Sequence, residues 1–224
     1  MSLSLLLTGR QAPDLQLVGA VPLETSTAAA FSRMQQAARL DGLELALVSG
    51  YRNFERQAAI WQAKLQGLRP VYDAQQQVVD LTKLQGFAKL EAVLLYSALP
   101  GASRHHWGTD LDVYDSAAVD TDYRVQLVAA EYQQGGPFFR LSQWLSQHAA
   151  SFGFFLPYRQ YLGGVAAEPW HLSYQPLAAL YQQQFSLAML HQAVLSGELA
   201  EQPLILQHLA QIFQRFVSTI CQEA

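Results

Sequence analysis

The stretch from Ser103 to Asp112, with the sequence SRHHWGTDLD, contains two histidines, a glycine and two aspartates. In the segment from Thr109 to Tyr114, carboxylates alternate with apolar residues, and this period of two predicts a β-strand. Asp110 and Asp112 would then lie on one face of the strand, with the apolar residues on the other. We therefore expect a strand that is buried on one side and presents carboxylates on the other.

A second cluster, EPWH at residues 168–171, carries a further histidine near a carboxylate. Zinc binds imidazole nitrogen and carboxylate oxygen, and a catalytic zinc typically keeps three protein ligands and one position for water. Two ligands from the first cluster and one from the second satisfy this requirement. The spacing does not decide between His105 and His106, and the alternative for each histidine is an ordinary hydrogen-bonded role without metal.

Glu168 and His171 are three residues apart, so an ideal strand would direct their side chains to opposite faces. Pro169 favours a bend or bulge between them, because proline is tolerated in strands mainly at edges and bulges. Glu168 is suited to be a general base that takes a proton from water activated by the metal. The alternative is a surface glutamate that caps the preceding glycine-rich loop.

The surrounding sequence predicts an α+β fold with a small, mainly antiparallel central sheet that carries the metal site and is flanked by helices. Alternation from Leu43 to Val48 predicts a strand that continues into Ser49–Arg52, and Asn53 can cap a helix that ends at Gly67. Further strands are expected at 15–17, 154–156 and 168–174, a loop or hairpin at 68–81, and helices at 22–40, 82–98, 123–133 and 138–152. Residues 177–224 predict a C-terminal hairpin of two helices.

Composition excludes several classes of function. The chain has 224 residues, of which half are hydrophobic, and a net charge of −4. This charge argues against a nucleic-acid partner, since such proteins usually present a basic surface. The single cysteine, Cys221, cannot form an intramolecular disulfide, and no apolar run approaches the length of a membrane span.

The N-terminal residues do not predict export. A secretory signal combines a basic segment with a following apolar run, whereas here a short leucine patch precedes Arg10. We read no signal peptide and expect a cytoplasmic protein, or a periplasmic one if the sequence has been truncated.

Three ordered motifs resemble one known family. SxHxxGxxxD at 103–112 and ExWH at 168–171 are similar to the paired signatures of the VanY-like D-alanyl-D-alanine carboxypeptidases. These zinc peptidases act on bacterial cell-wall peptides and have the hedgehog/DD-peptidase fold. SGYR at 49–52, followed by Gln57, resembles the third motif of the family. The resemblance implies one domain over residues 1–224, with a catalytic core at about 43–174 and a helical extension at 176–224.

The resemblance also implies a ligand set. His105, Asp112 and His171 would bind one zinc ion per chain, and this choice selects His105 over His106. Glu168 would be the catalytic base.

By the same resemblance, three residues would contact the substrate. Arg52 would bind the carbonyl or carboxylate of the substrate and stabilise the tetrahedral intermediate, because a cation stabilises the negative charge that develops there. Gln57 and Ser103 would contact the terminal carboxylate or the peptide backbone.

Asp110 departs from the family pattern, which commonly has a small residue, often alanine, at this position. An acid two residues before a ligand could hold a metal-bound histidine, which usually needs such a partner, or it could change substrate preference. The insert at 67–101 and the helices after Tyr174 lie outside the resemblance, so no role transfers to them.

The resemblance predicts an enzyme that hydrolyses the last peptide bond of a peptidoglycan stem peptide and releases D-alanine. Cleavage of D-Ala-D-Ala and L,D-cleavage of a tetrapeptide from recycled muropeptides both remain open, as does the oligomeric state. The alternative of another class is a zinc-binding module without hydrolysis. Glu168 and Arg52 argue against it, because a structural zinc site needs neither.

Overall fold

The computed structural model describes residues 2–222 and confirms the predicted α+β class. The strands are β1 (Leu15–Val18), β2 (Val21–Glu24), β3 (Leu45–Ser49), β4 (Asp110–Asp115), β5 (Phe154–Phe155) and β6 (His171–Tyr174). The helices are α1 (Leu3–Leu7), α2 (Thr25–Leu40), α3 (Phe54–Leu65), α4 (Phe87–Leu94), α5 (Ala129–Tyr132), α6 (Phe139–His148), α7 (Gln175–Gln184), α8 (Leu187–Leu195), α9 (Gln202–Gln207) and α10 (Leu209–Ile212). Short 3₁₀ segments cover Leu81–Lys83, Arg104–Trp107, Ser116–Ala118 and Ala149–Phe152, and a π-helical segment covers Phe213–Ser218.

The central sheet has four antiparallel strands in the order β3-β4-β6-β5, and β1 and β2 form a separate hairpin. Strand β4 therefore has a neighbour on each side. Asp112 pairs with Ser49 of β3 on one side and with His171 of β6 on the other. A register shift between Leu47 and Ser49 accompanies the first pairing. The sheet thus brings distant parts of the sequence together at Asp112.

The two faces of β4 differ as the alternation predicts. Leu111 and Val113 are fully buried in an apolar cluster with residues of α2 and α6. A second apolar cluster contains Trp61 of α3 and Trp107, together with residues of α4 and the C-terminal helices. Asp110 and Asp112 alternate with these apolar residues, so their carboxylates lie on the other face of β4 and are available to a polar site.

Helix α3 begins where the sequence predicts. The side chain of Asn53 accepts a hydrogen bond from the backbone N–H of Arg56 at 2.8 Å, which satisfies a donor of the first turn. The helix ends at Leu65, and Gly67 adopts a left-handed conformation with φ of +73°. The cap by Asn53 thus fixes the start of α3 directly after Arg52.

Two of the predicted helices are wrong in extent. Pro22 lies in β2, and α2 begins only at Thr25 because the Glu24 carboxylate caps it by accepting from the backbone N–H groups of Ser26 and Thr27. The helix expected at 123–133 is reduced to α5.

The reason for the second error is the buried carboxylate of Glu131. It accepts hydrogen bonds from the backbone N–H groups of Gln126 and Val128 and from the hydroxyl of Tyr123. These bonds replace the helical ones, and Leu127 between them has a φ of +54°.

The helix expected at 138–152 is confirmed as α6 followed directly by the 3₁₀ segment Ala149–Phe152. Two further helical predictions are correct in type but too long. The helix expected at 82–98 is α4 alone, since Gly86 before it has a φ of +54°. The C-terminal segment is helical, but its described residues form α7 to α10 and the π-helical segment instead of two helices. Ser186 begins a new helix by capping the N–H of Met189. Among residues 2–222, no helix combines the length and apolar character that crossing a membrane requires.

The C-terminal segment contacts the loop at 157–167. The guanidinium of Arg215 donates to the carbonyl of Gly163 through Nε at 3.1 Å and Nη2 at 3.0 Å. The backbone N–H of Cys221 donates to the carbonyl of Pro157 at 2.8 Å. This loop leads directly to Glu168, so the end of the described chain supports a segment that carries a predicted site residue.

Candidate active site

The structure brings the three predicted metal ligands together. His105 lies on the 3₁₀ segment before β4, Asp112 lies on β4, and His171 is the first residue of β6. One ligand atom from each of them lies within 4.8 Å of the others, and all three residues are buried. A helical turn and two paired strands therefore converge on one point.

The ring of His105 is oriented by the backbone. Its Nδ1 donates to the carbonyl of Gly50 at 2.8 Å, so Nε2 is directed toward Asp112, where it lies 3.5 Å from Oδ2. Burial, reinforced by the nearby Arg52 cation, lowers the pKa of His105 to about 3. The imidazole is therefore neutral at pH 7 and its Nε2 lone pair can bind a metal.

His106 has a different role. Its Nδ1 lies 2.6 Å from the carbonyl of Arg52, and its Nε2 accepts from the backbone N–H of Gly101 at 3.1 Å. Because a carbonyl only accepts and an amide N–H only donates, both ring nitrogens are engaged. The geometry therefore favours His105 over His106 as a ligand, and His106 instead holds the backbone of Arg52.

Asp112 is held by the neighbouring strand. The hydroxyl of Ser49 donates to its Oδ2, and the guanidinium of Arg52 lies 3.6 Å from the same oxygen. The sequence prediction gave Ser49 no role of its own, although it is the first residue of the SGYR motif. The SGYR motif pointed to this part of the chain, but only the pairing of β3 with β4 shows that Ser49 contacts Asp112.

Asp110 holds His171. Its Oδ1 accepts from Nε2 of His171 at 3.0 Å, which leaves Nδ1 of the ring directed toward Asp112, at 3.5 Å from Oδ1. Asp110 is completely buried and also accepts from Nε of Arg104 at 2.8 Å and from the hydroxyl of Ser173 at 3.0 Å. Of the two roles considered for Asp110, the geometry supports that of a partner that orients a histidine.

Opposite charges stabilise this buried group. Burial alone would raise the pKa of Asp110. The Arg104 guanidinium and the His171 ring nevertheless hold this pKa well below its ordinary value. Arg104 is itself buried, and it donates to Gln182 at 2.7 Å and to Ser173 at 2.7 Å. Arg104 is thus a buried and paired cation.

Glu168 lies in a turn before β6, where the N–H of His171 donates to the Glu168 carbonyl at 3.1 Å. The bend predicted at Pro169 therefore lies outside the strand. The carboxylate reaches Nδ1 of His171 at 3.0 Å, and burial raises the pKa of Glu168. Since Glu168 is only 8% exposed, it is not the surface glutamate of the alternative interpretation.

Arg52 faces the same cavity. Its Nη1 donates to Oε1 of Gln57 at 3.2 Å, while Nε is buried without a hydrogen-bond partner among residues 2–222. The amide nitrogen of Gln57 donates to the carbonyl of Ala98 at 2.8 Å. Gln57 thus holds Arg52, and its contact with a substrate stays a prediction.

A cavity of about 320 Å³ joins these groups. Its lining includes all the predicted site residues: Arg52, Gln57, Ser103, His105, Asp112, Glu168 and His171. Trp170 also lines it while packing against Tyr132 in the first apolar cluster. The predicted residues therefore surround one volume of a size suited to a small ligand.

The donor set fits zinc. Three protein ligands at about 2.0–2.1 Å in tetrahedral geometry lie roughly 3.3 Å from one another. Here Nε2 of His105 lies 3.5 Å from Oδ2 of Asp112, Nδ1 of His171 lies 3.5 Å from Oδ1, and one ligand atom from each residue lies within 4.8 Å of the others. The surroundings also favour a cation. Burial opposes a charge on His171, but hydrogen bonds with Asp110 and Glu168 raise the pKa of His171 to about 10. Two imidazole nitrogens and one carboxylate leave a coordination position for water or substrate.

The chain belongs to the VanY family of D-alanyl-D-alanine carboxypeptidases, whose sequence model matches residues 21–177. An uncharacterized protein of Haemophilus influenzae is 40% identical over 121 residues, which cover 53% of this chain and 92% of that protein. A D-alanyl-D-alanine carboxypeptidase of Enterococcus faecalis is 28% identical over 157 residues, covering 67% of this chain and 48% of that protein. The chain thus spans about half the length of that carboxypeptidase.

Two solved structures share the fold. VanYB in complex with D-alanine-D-alanine matches with a TM-score of 0.56 and 20% identity, covering 84% of this chain and 92% of that chain. A mutant of the vancomycin-resistance D,D-pentapeptidase VanY in complex with Zn(II) matches with a TM-score of 0.53 and 23% identity, covering 80% of this chain and 89% of that chain. At these identities the similarity establishes the fold alone.

Proposed function

We propose that this chain is a zinc-dependent carboxypeptidase that removes a C-terminal D-alanine from peptidoglycan stem peptides. The observation that carries the proposal is the convergence of His105, Asp112 and His171 with Glu168 and Arg52 around one cavity. A zinc ion held by the three ligands supplies Lewis-acid polarisation of a carbonyl and acidification of water.

Glu168 moves the proton in the proposed reaction. Its carboxylate is buried beside a ligand and lines the cavity. It takes a proton from the water that attacks the scissile carbonyl and returns that proton to the leaving amine. The raised pKa of Glu168 suits a group that must both accept and release a proton.

Arg52 stabilises the charge that develops on the carbonyl oxygen. Its guanidinium is fixed by Gln57 and by the ion pair with Asp112, and its backbone carbonyl is held by His106. A donor that is already oriented costs little reorganisation when the oxyanion forms.

The test uses the purified, zinc-loaded protein and mass spectrometry. A stem pentapeptide, a stem tetrapeptide and free D-Ala-D-Ala are assayed, so that D,D-cleavage and L,D-cleavage are separated by the product masses. Glu168→Gln should lower turnover by about 100- to 10,000-fold while about one zinc per chain is retained. No release of D-alanine from any of the three by zinc-loaded protein would overturn the proposal, as would the absence of zinc binding.

We also propose a cytoplasmic location, in which recycled muropeptides would be the substrate pool. Fractionation of cells followed by detection of the protein tests the location.

A further inference from the structure

An N-terminal arm, residues 2–11, packs against the segments that surround Arg52. It precedes the part of the chain that the family model matches, so no role transfers to it from the family. Leu6 and Leu7 of α1 are buried in the second apolar cluster. The indole Nε1 of Trp107 donates to the carbonyl of Leu7 at 3.1 Å. Apolar contacts and a hydrogen bond thus attach the arm to the 3₁₀ segment before β4.

Gly9 is the residue of the arm that contacts both supports of Arg52. Its carbonyl accepts from the backbone N–H of Phe54 at 2.9 Å, and this N–H belongs to the first turn of α3, where donors have no partner inside the helix. Gly9 also lies against the ring of His106, because a Cβ added to Gly9 would lie 2.6 Å from Cγ of that ring. Both contacts lead to Arg52, since α3 begins directly after the Arg52–Asn53 pair and Nδ1 of His106 holds the Arg52 carbonyl.

The backbone of Arg52 is held at both of its polar groups. Its N–H donates to the carbonyl of His105 at 3.1 Å, and its carbonyl accepts from Nδ1 of His106 at 2.6 Å. The His106 ring is completely buried, and its other nitrogen accepts from the N–H of Gly101. The ring therefore cannot move aside without losing a hydrogen bond or displacing the Arg52 carbonyl.

We propose that the N-terminal arm positions Arg52 for the reaction, and that Gly9 is the positioning residue through which the arm acts. The inference rests on the proposed carboxypeptidase function, in which Arg52 stabilises charge on the carbonyl oxygen. The site requires glycine at position 9 because its φ of +75° is in the left-handed region and because a methyl group would overlap with the His106 ring. Carbon atoms in contact lie about 3.5–4.0 Å apart, so the methyl group and the ring would have to separate by roughly 1 Å.

The experiment compares Gly9→Ala with Gly67→Ala in the zinc-loaded protein. Gly67 is the matched control, because its φ is +73° and, apart from its chain neighbours, no described residue has an atom within 4 Å of an added Cβ. Both variants therefore carry similar backbone strain, but only Gly9→Ala meets a ring. A displacement of about 1 Å can lower turnover by about 100-fold. We expect Gly9→Ala to lower kcat for release of D-alanine by about 10- to 100-fold, with KM and zinc affinity unchanged, whereas Gly67→Ala should keep the kcat of the wild type.

A second readout does not require turnover. In isotopically labelled, metal-free protein, the NMR resonance of the Arg52 Nε–H reports the surroundings of the guanidinium, and it is assigned by its absence from Arg52→Ala. Gly9→Ala should shift this resonance, and Gly67→Ala should leave it in place. If Gly9 acts through Arg52, adding Gly9→Ala to Arg52→Ala should not lower kcat further.

His106→Ala keeps the proposal testable if Gly9→Ala does not fold. This variant removes the ring that the added methyl group would meet, so it should lower kcat with KM unchanged. Adding Gly9→Ala to His106→Ala should then lower kcat no more than Gly67→Ala does in the wild type. An unchanged kcat in His106→Ala would overturn the proposal.

The two proposals fail in different ways. If the wild type releases D-alanine and Gly9→Ala matches Gly67→Ala in kcat or in the Arg52 resonance, the inference about the arm is wrong and the carboxypeptidase function stands. A loss of kcat that follows from weaker zinc binding, or that is equally large in the Arg52→Ala background, would also overturn the inference. If the wild type releases no D-alanine, the proposed function is wrong, and the Arg52 resonance still tests whether Gly9 positions Arg52.

Discussion

Replacement of Asp110 by alanine tests whether the residue that departs from the family pattern supports the site. Asp110→Ala removes the acceptor of both Arg104 and His171. Loss of one partner of a buried ion pair typically costs about 3–5 kcal/mol. Arg104 keeps its hydrogen bonds with Gln182 and Ser173, so we expect the lower end, about 3 kcal/mol. For a chain of this size that corresponds to a decrease in Tm of roughly 6–12 °C.

The assay separates folding from metal binding. Denaturation of the metal-free protein gives the free energy of unfolding, and titration with a competing chelator gives the zinc affinity. We expect Asp110→Ala to weaken zinc binding by about 10- to 100-fold, because the Nε2 of His171 loses the group that orients it. Asp115→Ala is the matched control, since Asp115 is a buried acid on β4 that accepts from the backbone of Glu44 and Ala117. It should lower stability without changing zinc affinity.

A double variant sharpens the test. The variant that combines Asp110→Ala with Arg104→Leu also removes the Arg104 guanidinium, which would otherwise be left without its carboxylate. The losses in unfolding free energy of the two single variants should therefore not add. We expect a coupling energy of about 1–3 kcal/mol. Additive losses, or an Asp110→Ala protein within 1 kcal/mol of wild type and with unchanged zinc affinity, would refute the role assigned to Asp110.

Two further predictions concern residues that hold the ligands and Arg52. Ser49→Ala should weaken zinc binding by about tenfold, measured by the same chelator titration, because the Asp112 carboxylate loses a hydrogen bond; unchanged affinity would contradict this. Gln57→Leu should lower kcat by about tenfold with little change in KM, because Gln57 holds Arg52. In steady-state kinetics, adding Gln57→Leu to Arg52→Ala should therefore not lower kcat further.

Local signals in the sequence predicted the elements that depend on local interactions. The alternation around Asp112 gave β4 and its two faces, and Asn53 gave the start of α3, because each rests on neighbours in the sequence. The prediction of a helix at 123–133 was wrong because a side-chain interaction decides the structure there. A buried side chain, Glu131, captures backbone donors that the helix needs, and propensity does not reveal such a competition.

In the candidate site, too, some residues could be predicted from the sequence and others could not. His105, Asp112 and His171 were found from motif spacing, whereas their orienting partners depend on chain segments that meet only in the fold. The carbonyl of Gly50 and the hydroxyl of Ser49 come from β3 and the residue after it.

The contact between Arg215 and Gly163 has a practical consequence for anyone who trims this protein. A fragment cut to residues 21–177 would contain every proposed ligand and the base, yet it would lack the side chain that secures the segment leading to Glu168. It would also lack the C-terminal helices of the second apolar cluster, so we expect it to turn over slowly even when it binds zinc. Metal content alone would therefore be a poor measure of whether a shortened version is intact.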